Sequence, residues 1–178
     1  MRKPLLLSLT AALGVGISTA PYSHAETYLT VPQAQQALWQ QQTLRQVPVT
    51  LSKKQMKAIA KASKTRVRQA QLNVWKTPDN GWFIVDQVVG KHEMIDIAVA
   101  LQADGSVKGV EILQYRETYG DQVRHPKWLA QFIGKTHAQH LTLDKDIKNI
   151  SGATLSCRHV TDGVNRLTQT WHQILRYL

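Results

Sequence analysis

Apolar and polar residues alternate through the middle of the chain and recur every three to four positions at its two ends. Gln71–Lys76 reads as a strand, Pro78-Asp79-Asn80-Gly81 as a turn, and Trp82–Val89 as the hairpin partner. Ile95, Ile97, Val99 and Leu101 occupy every second position, the pattern of a half-buried strand. Asp104-Gly105 supplies the next tight turn, and Val107–Tyr115 returns antiparallel. Helical spacing appears first at Val31–Gln42, with Pro32 suited to a first turn and Ala34, Leu38 and Trp39 as the buried stripe. A short extended piece at Gln46–Thr50 follows, because Val47-Pro48-Val49 disfavours helix. Ser52 then opens a second helix with Gln55 as its reciprocal cap and Leu51 placed to staple against Met56. Pro126–Phe132 predicts a short helix with Trp128, Leu129 and Phe132 apolar, stopped by Gly134. The last helix, Leu155–Tyr177, carries Val160, Val164, Leu167, Trp171 and Leu175 on one face. Four strands joined by short turns and backed by helices predict an α+β fold around an antiparallel sheet.

Residues 1–25 stand apart from that pattern. Arg2 and Lys3 precede an apolar run from Leu5 to about Ala20, and Ser23-His24-Ala25 offers small residues where a signal peptidase reads. This predicts a secretory signal peptide cleaved after Ala25, and hence a periplasmic location. No other segment is long and apolar enough to span a bilayer. The remaining chain divides into a basic helical region, residues 26–70, and a domain at 71–178. The lone Cys157 has no partner for an internal disulfide and reads as a small residue packed beneath a helix start.

Net charge is +10, or +8 without Arg2 and Lys3. Such a balance favours acidic partners or contact with an anionic membrane surface; an exported protein seldom meets nucleic acid, so that class is set aside. Lys53, Lys54, Lys57, Lys61, Lys64, Arg66 and Arg68 follow one another without an acid between them. This run reads either as a solvated face or as a docking surface for an acidic redox partner or lipid headgroups. The histidines His137 and His140 share a helical spacing but lack a third ligand, and His125 reads as exposed. No metal site and no catalytic residue is predicted. His159 falls close enough to the last helix's start to contact a ligand there or to lie exposed.

The chemistry concentrates at Lys148–Arg158, where a turn runs into the last helix. Ser151, Gly152, Ala153 and Thr154 are small enough for a ligand to approach the backbone. A helix N-terminus behind them presents unpaired N–H groups and partial positive charge, which suits a phosphate. Thr154 adds a hydroxyl there. Taken without context, Ser151 or Thr154 would equally serve as an ordinary N-cap.

Ser-Gly-Ala-Thr-Leu-Ser with Arg158 and Val160 resembles the signature of the FMN-binding domain family. That family includes the flavin-carrying C subunit of sodium-pumping NADH:quinone reductase and the G subunit of the Rnf complex. Glu117-Thr118-Tyr119-Gly120 is similar to the family's Glu-Thr-Pro-Gly loop, with tyrosine replacing proline. Lys148 stands where the covalently modified members carry an acid. The resemblance covers roughly residues 71–171 and implies FMN held by a phosphoester to Thr154. It implies close approach at Ser151, Gly152 and Ala153, contact beside the tether from Leu155 and Ser156, and a facing loop of Glu117, Thr118 and Gly120. It further implies an electron carrier between membrane-associated and exported redox partners, loaded by an FAD-dependent flavin transferase. The alternative from another class is a cofactor-free binding module whose basic surface meets anionic partners.

Overall fold

The computed structural model describes residues 26–40 and 42–178, so the expected signal peptide lies outside the described residues. Six antiparallel strands form one sheet: β1 (Glu26–Thr27), β2 (Arg45–Thr50), β3 (Gln71–Lys76), β4 (Trp82–Val89), β5 (Met94–Leu101) and β6 (Val107–Tyr115). Their order is β1-β6-β5-β4-β3-β2. The four expected strands form the centre, and two more extend it. The piece around Val47-Pro48-Val49 pairs along its whole length with β3, and Pro48, which cannot donate a backbone hydrogen bond, sits on this edge strand. At the other edge β1 pairs with the end of β6.

Helices cover both faces. α1 (Val31–Trp39) is closed by a capping box of Thr30 and Gln33 and buries Ala34 and Trp39 against Phe83, Ala98, Ala100 and Leu113. α2 (Lys53–Ser63) begins with the expected Ser52–Gln55 capping box and packs against the last helix. α3 (Pro126–Leu129) runs into a single 3-10 turn, Ala130–Phe132, rather than forming one helix. Another 3-10 turn, Asp121–Arg124, has no sequence signal. α4 (Thr154–Gln173) stops at Ile174, whose φ of −130° leaves the helical range, and Leu175–Tyr177 follow as a separate 3-10 turn. The sequence reading carried one continuous helix through this break.

The larger core lies between α4 and the sheet. Val160, Val164, Leu167, Trp171 and Leu175 meet Trp82, Ile84, Val88, Ile95, Ile97, Val99 and Leu101. Gly163 lets the helix come close: a Cβ there would lie 2.6 Å from Val88 Cγ1 and 3.0 Å from Ile97 Cδ1. Arg166, 5% exposed, leaves the same helix and binds Asp86 Oδ2 through Nη2 at 2.7 Å and through Nε at 3.1 Å. It also donates to the carbonyls of Gln87, at 3.0 Å, and Arg66, at 3.2 Å. One guanidinium thus links α4, β4 and the segment after α2, using the planar fork that lysine lacks. Arg166→Met should lower stability by about 3 kcal/mol, because two carbonyls and a carboxylate lose a charged donor. Urea unfolding measures this, and Arg166→Lys should recover less than half of the loss.

Candidate functional site

The β4–β5 turn, the C-terminal end of β6 and the start of α4 all lie at one end of the sheet. They enclose a cleft of about 550 Å³ lined by Lys91, His92, Glu117, Thr118, Tyr119, Gly152, Ala153, Thr154, Leu155 and Ser156. That volume lies within the ordinary range of small-molecule sites, about 300–1,000 Å³.

The wall at α4 is prepared before the helix begins. Trp128 Nε1 donates to the Lys148 carbonyl at 2.7 Å, and the Lys148 N–H donates to Gln131 Oε1 at 2.8 Å. The Ala153 N–H closes a turn onto the Ile150 carbonyl at 2.9 Å, with Gly152 at φ +84°. Positive φ at that third position is what a type II turn demands. Ala153 is the N-cap and supplies no side-chain hydrogen bond. Neither Ser151 nor Thr154 caps, so the first N–H groups of a 20-residue helix remain available to a ligand. Thr154 is the first helical residue. Its Oγ1 accepts from Asn149 Nδ2 at 3.0 Å, while Asn149 Oδ1 is buried without a partner.

On the opposite wall, Glu117 turns inward. Its Oε1 accepts from the backbone N–H of His92 at 2.5 Å and of Glu93 at 3.0 Å. Burial pushes its carboxyl pKa up, but backbone donors at Glu93, His92 and Lys91 outweigh that and hold it below its ordinary value of 4.5. The carboxylate is therefore committed to holding the β4–β5 turn. Lys91 and His92, both exposed, are left facing the cleft.

Tyr115 joins the two walls. Its hydroxyl lies 2.6 Å from the Tyr119 carbonyl and 2.8 Å from Ser156 Oγ. Burial raises its pKa, so the phenol keeps its proton and remains a donor. Gly120, at φ +96°, packs beneath this junction, where a Cβ would lie 2.6 Å from the Tyr115 hydroxyl and 2.9 Å from Ser156 Oγ.

The sequence-expected residues thus separate by position. Gly152, Ala153, Thr154, Leu155, Ser156, Glu117 and Thr118 line the cleft, whereas Gly120 supports it from below and Ser151 is exposed outside it. Tyr119, 83% exposed, and Leu155, 41% exposed, place apolar surface in the cleft lining. Lys91, His92, Asn149 and Tyr115 were not foreseen; His92 precedes an acid in a short turn and carries no local signal. His159 does not line the cleft and sits in a hollow with Arg66, Arg68, Val88, Val89 and Asp162. Cys157 is fully buried beneath the helix start, and desolvation raises its pKa, so it offers no thiolate.

The family model of the FMN-binding domain matches residues 90–169. Residues 90–169 belong to the FMN-binding domain family. The match begins at the β4–β5 turn and takes in every segment of the cleft. Over 89 aligned residues the chain is 28% identical to a protein of Acetobacterium woodii, the G subunit of its Na(+)-translocating ferredoxin:NAD(+) oxidoreductase complex. That alignment covers 45% of this chain and 43% of the relative, so the chain spans less than half of that protein's length. The crystal structure of Shewanella oneidensis NqrC shares the fold, with a TM-score of 0.52 and 21% identity over 73% of this chain and 68% of that one.

The cofactor of this FMN-binding domain is FMN, and the residues present fit it. The uncapped start of α4 suits the phosphate end, and Lys91 and His92 face the same cleft. Tyr119 and Leu155 offer apolar surface to a planar ring. Because the pKa of Glu117 is depressed in the fold, the tie it makes is complete above pH 4.5 and is lost as pH falls through that lowered pKa. Hydrogen exchange at the His92 and Glu93 amides should therefore accelerate in acid beyond the intrinsic trend. Glu117→Gln should show that acceleration already at about pH 6.

Proposed function

We propose that this chain is an exported, periplasmic flavoprotein that carries FMN on Thr154 through a phosphoester and passes electrons between membrane-associated and extracytoplasmic partners. The observation that carries this reading is the seat of Thr154. It is the first residue of an uncapped helix, inside the cleft, with Asn149 holding its oxygen at 3.0 Å. Because Oγ1 is the acceptor in that bond, its own proton points elsewhere and is open to a base. Ser151, Gly152 and Ala153 keep the approach free of bulky side chains. Leu155 and Ser156 flank the tether, and Thr118 with Glu117 and Gly120 forms the facing loop.

Loading is the work of a flavin transferase that uses FAD. Thr154 Oγ1 bonds to the FMN phosphorus as the pyrophosphate bond breaks; AMP leaves with the electron pair, and the hydroxyl proton passes to the transferase. Bound flavin supplies one- and two-electron chemistry, and the protein supplies tether, orientation and solvent control. Lys148, in place of the acid that modified members carry, is exposed and held only through its backbone, so its side chain is open to the transferase. The relation to a subunit of a Na(+)-translocating oxidoreductase complex supports membrane-associated partners.

Intact-mass measurement of the exported protein, co-produced with a flavin transferase, tests the reading. The expected product is the chain cleaved after Ala25 plus one FMN less one water, yellow after denaturation, with Thr154→Ala unmodified. A colourless, unmodified wild type would sink it, and a colour lost on denaturation would replace the covalent bond with reversible FMN.

A further inference from the structure

Charge is segregated along this chain. From Thr27 to Pro78 there are nine lysines and arginines and no carboxylate; from Asp79 to Leu178, eleven cations balance eleven carboxylates. The surplus centres on α2 and the segment after it, outside residues 90–169. Lys53, Lys57, Lys61 and Lys64 succeed one another along one exposed ridge, with Lys54 beside them.

Two local rules are broken there together. Lys53–Lys57 and Lys57–Lys61 place like charges four residues apart, and Lys53 and Lys54 stand at the positive end of the helix dipole with no acid in the first turn. The Ser52–Gln55 capping box holds the helix start against this repulsion. Among the described residues, the three ion pairs involve none of the seven cations from Lys53 to Arg68. Helical positions that defy their own electrostatics without internal compensation mark functional surfaces.

The partner follows from what the face lacks. No large hydrophobic residue is exposed between Lys53 and Arg68, and the helix's inner side, with Ile59, is consumed in packing. Protein interfaces select aromatic anchors and arginine and disfavour lysine. A row of lysine point charges instead matches a dense, laterally mobile layer of anionic headgroups. Arg66 and Arg68 continue the surface into the hollow beside Val88 and Val89, the residues that lead into the Lys91–His92 wall of the cleft. We infer that the α2 lysine face docks the protein on an anionic phospholipid surface, with the flavin cleft beside the contact.

This inference does not depend on the flavin, and its test reads binding alone. Co-sedimentation of the full mature chain with phosphatidylglycerol–phosphatidylcholine vesicles is compared with phosphatidylcholine alone. Binding should require the anionic lipid and vanish in high salt. Each lysine removed should weaken it about fivefold, so Lys53→Gln, Lys57→Gln and Lys61→Gln together lose about a hundredfold. The equally charged control, Lys108→Gln, Lys127→Gln and Lys145→Gln, should lose far less, and circular dichroism confirms that both fold. Absence of binding to anionic vesicles, or equal losses in the two triple variants, overturns the proposal. Retention on immobilised poly-glutamate without vesicle binding also overturns it and assigns the face to an acidic protein.

Discussion

Everything in the cleft depends on how α4 lies across the sheet. Its apolar stripe packs on strands β4 and β5, Gly163 sets the closeness of that approach, and Arg166 pins the helix to Asp86. Any rotation or slide of α4 would carry Thr154 with it, because Thr154 is the first residue of the same rigid element. The hydrophobic contact supplies most of the attraction, but it is not directional. The charged fork of Arg166 and the absent Cβ of Gly163 supply the register.

Around that fixed helix start, the cleft is assembled from three segments, each held by its own hydrogen bonds. Glu117 closes the β4–β5 turn, Tyr115 ties the loop after β6 to Ser156, and Trp128 and Gln131 fix the backbone of Lys148. The electrostatic result is directional. The one carboxylate among the lining residues is occupied by backbone donors, while Lys91, His92 and the helix N-terminus remain open. A site of this sort favours a dianionic end and an uncharged, planar remainder, which describes FMN.

Much of the scaffold was legible before any coordinates. Strands β3, β4 and β6 start and end where the alternation and the turns place them, and the Ser52–Gln55 box opens α2 as its spacing requires. Such features rest on residues within a few positions of each other. The two edge strands were weaker signals because edge pairing is completed by a distant partner: β1 by β6, and β2 by β3 across the whole of α2. The break at Ile174 was invisible because the apolar spacing continues through it to Leu175.

By itself, then, the sequence determined the four central strands, the helix starts and the small-residue turn that delivers Thr154 to a helix N-terminus, since all of these are short-range preferences of backbone and cap. Only the tertiary structure decided what surrounds Thr154. Lys91 and His92 come from a turn far earlier in the chain, and Tyr115 reaches Ser156 across a separation of 41 residues. Even Asn149, only five residues away, gains its role from the turn that brings its Nδ2 within reach of Thr154 Oγ1. Likewise Glu117, expected to face the flavin, spends its charge on the amides of the β4–β5 turn. Those outcomes turn on which groups desolvation brings within hydrogen-bond reach, and chain order alone carries no record of that.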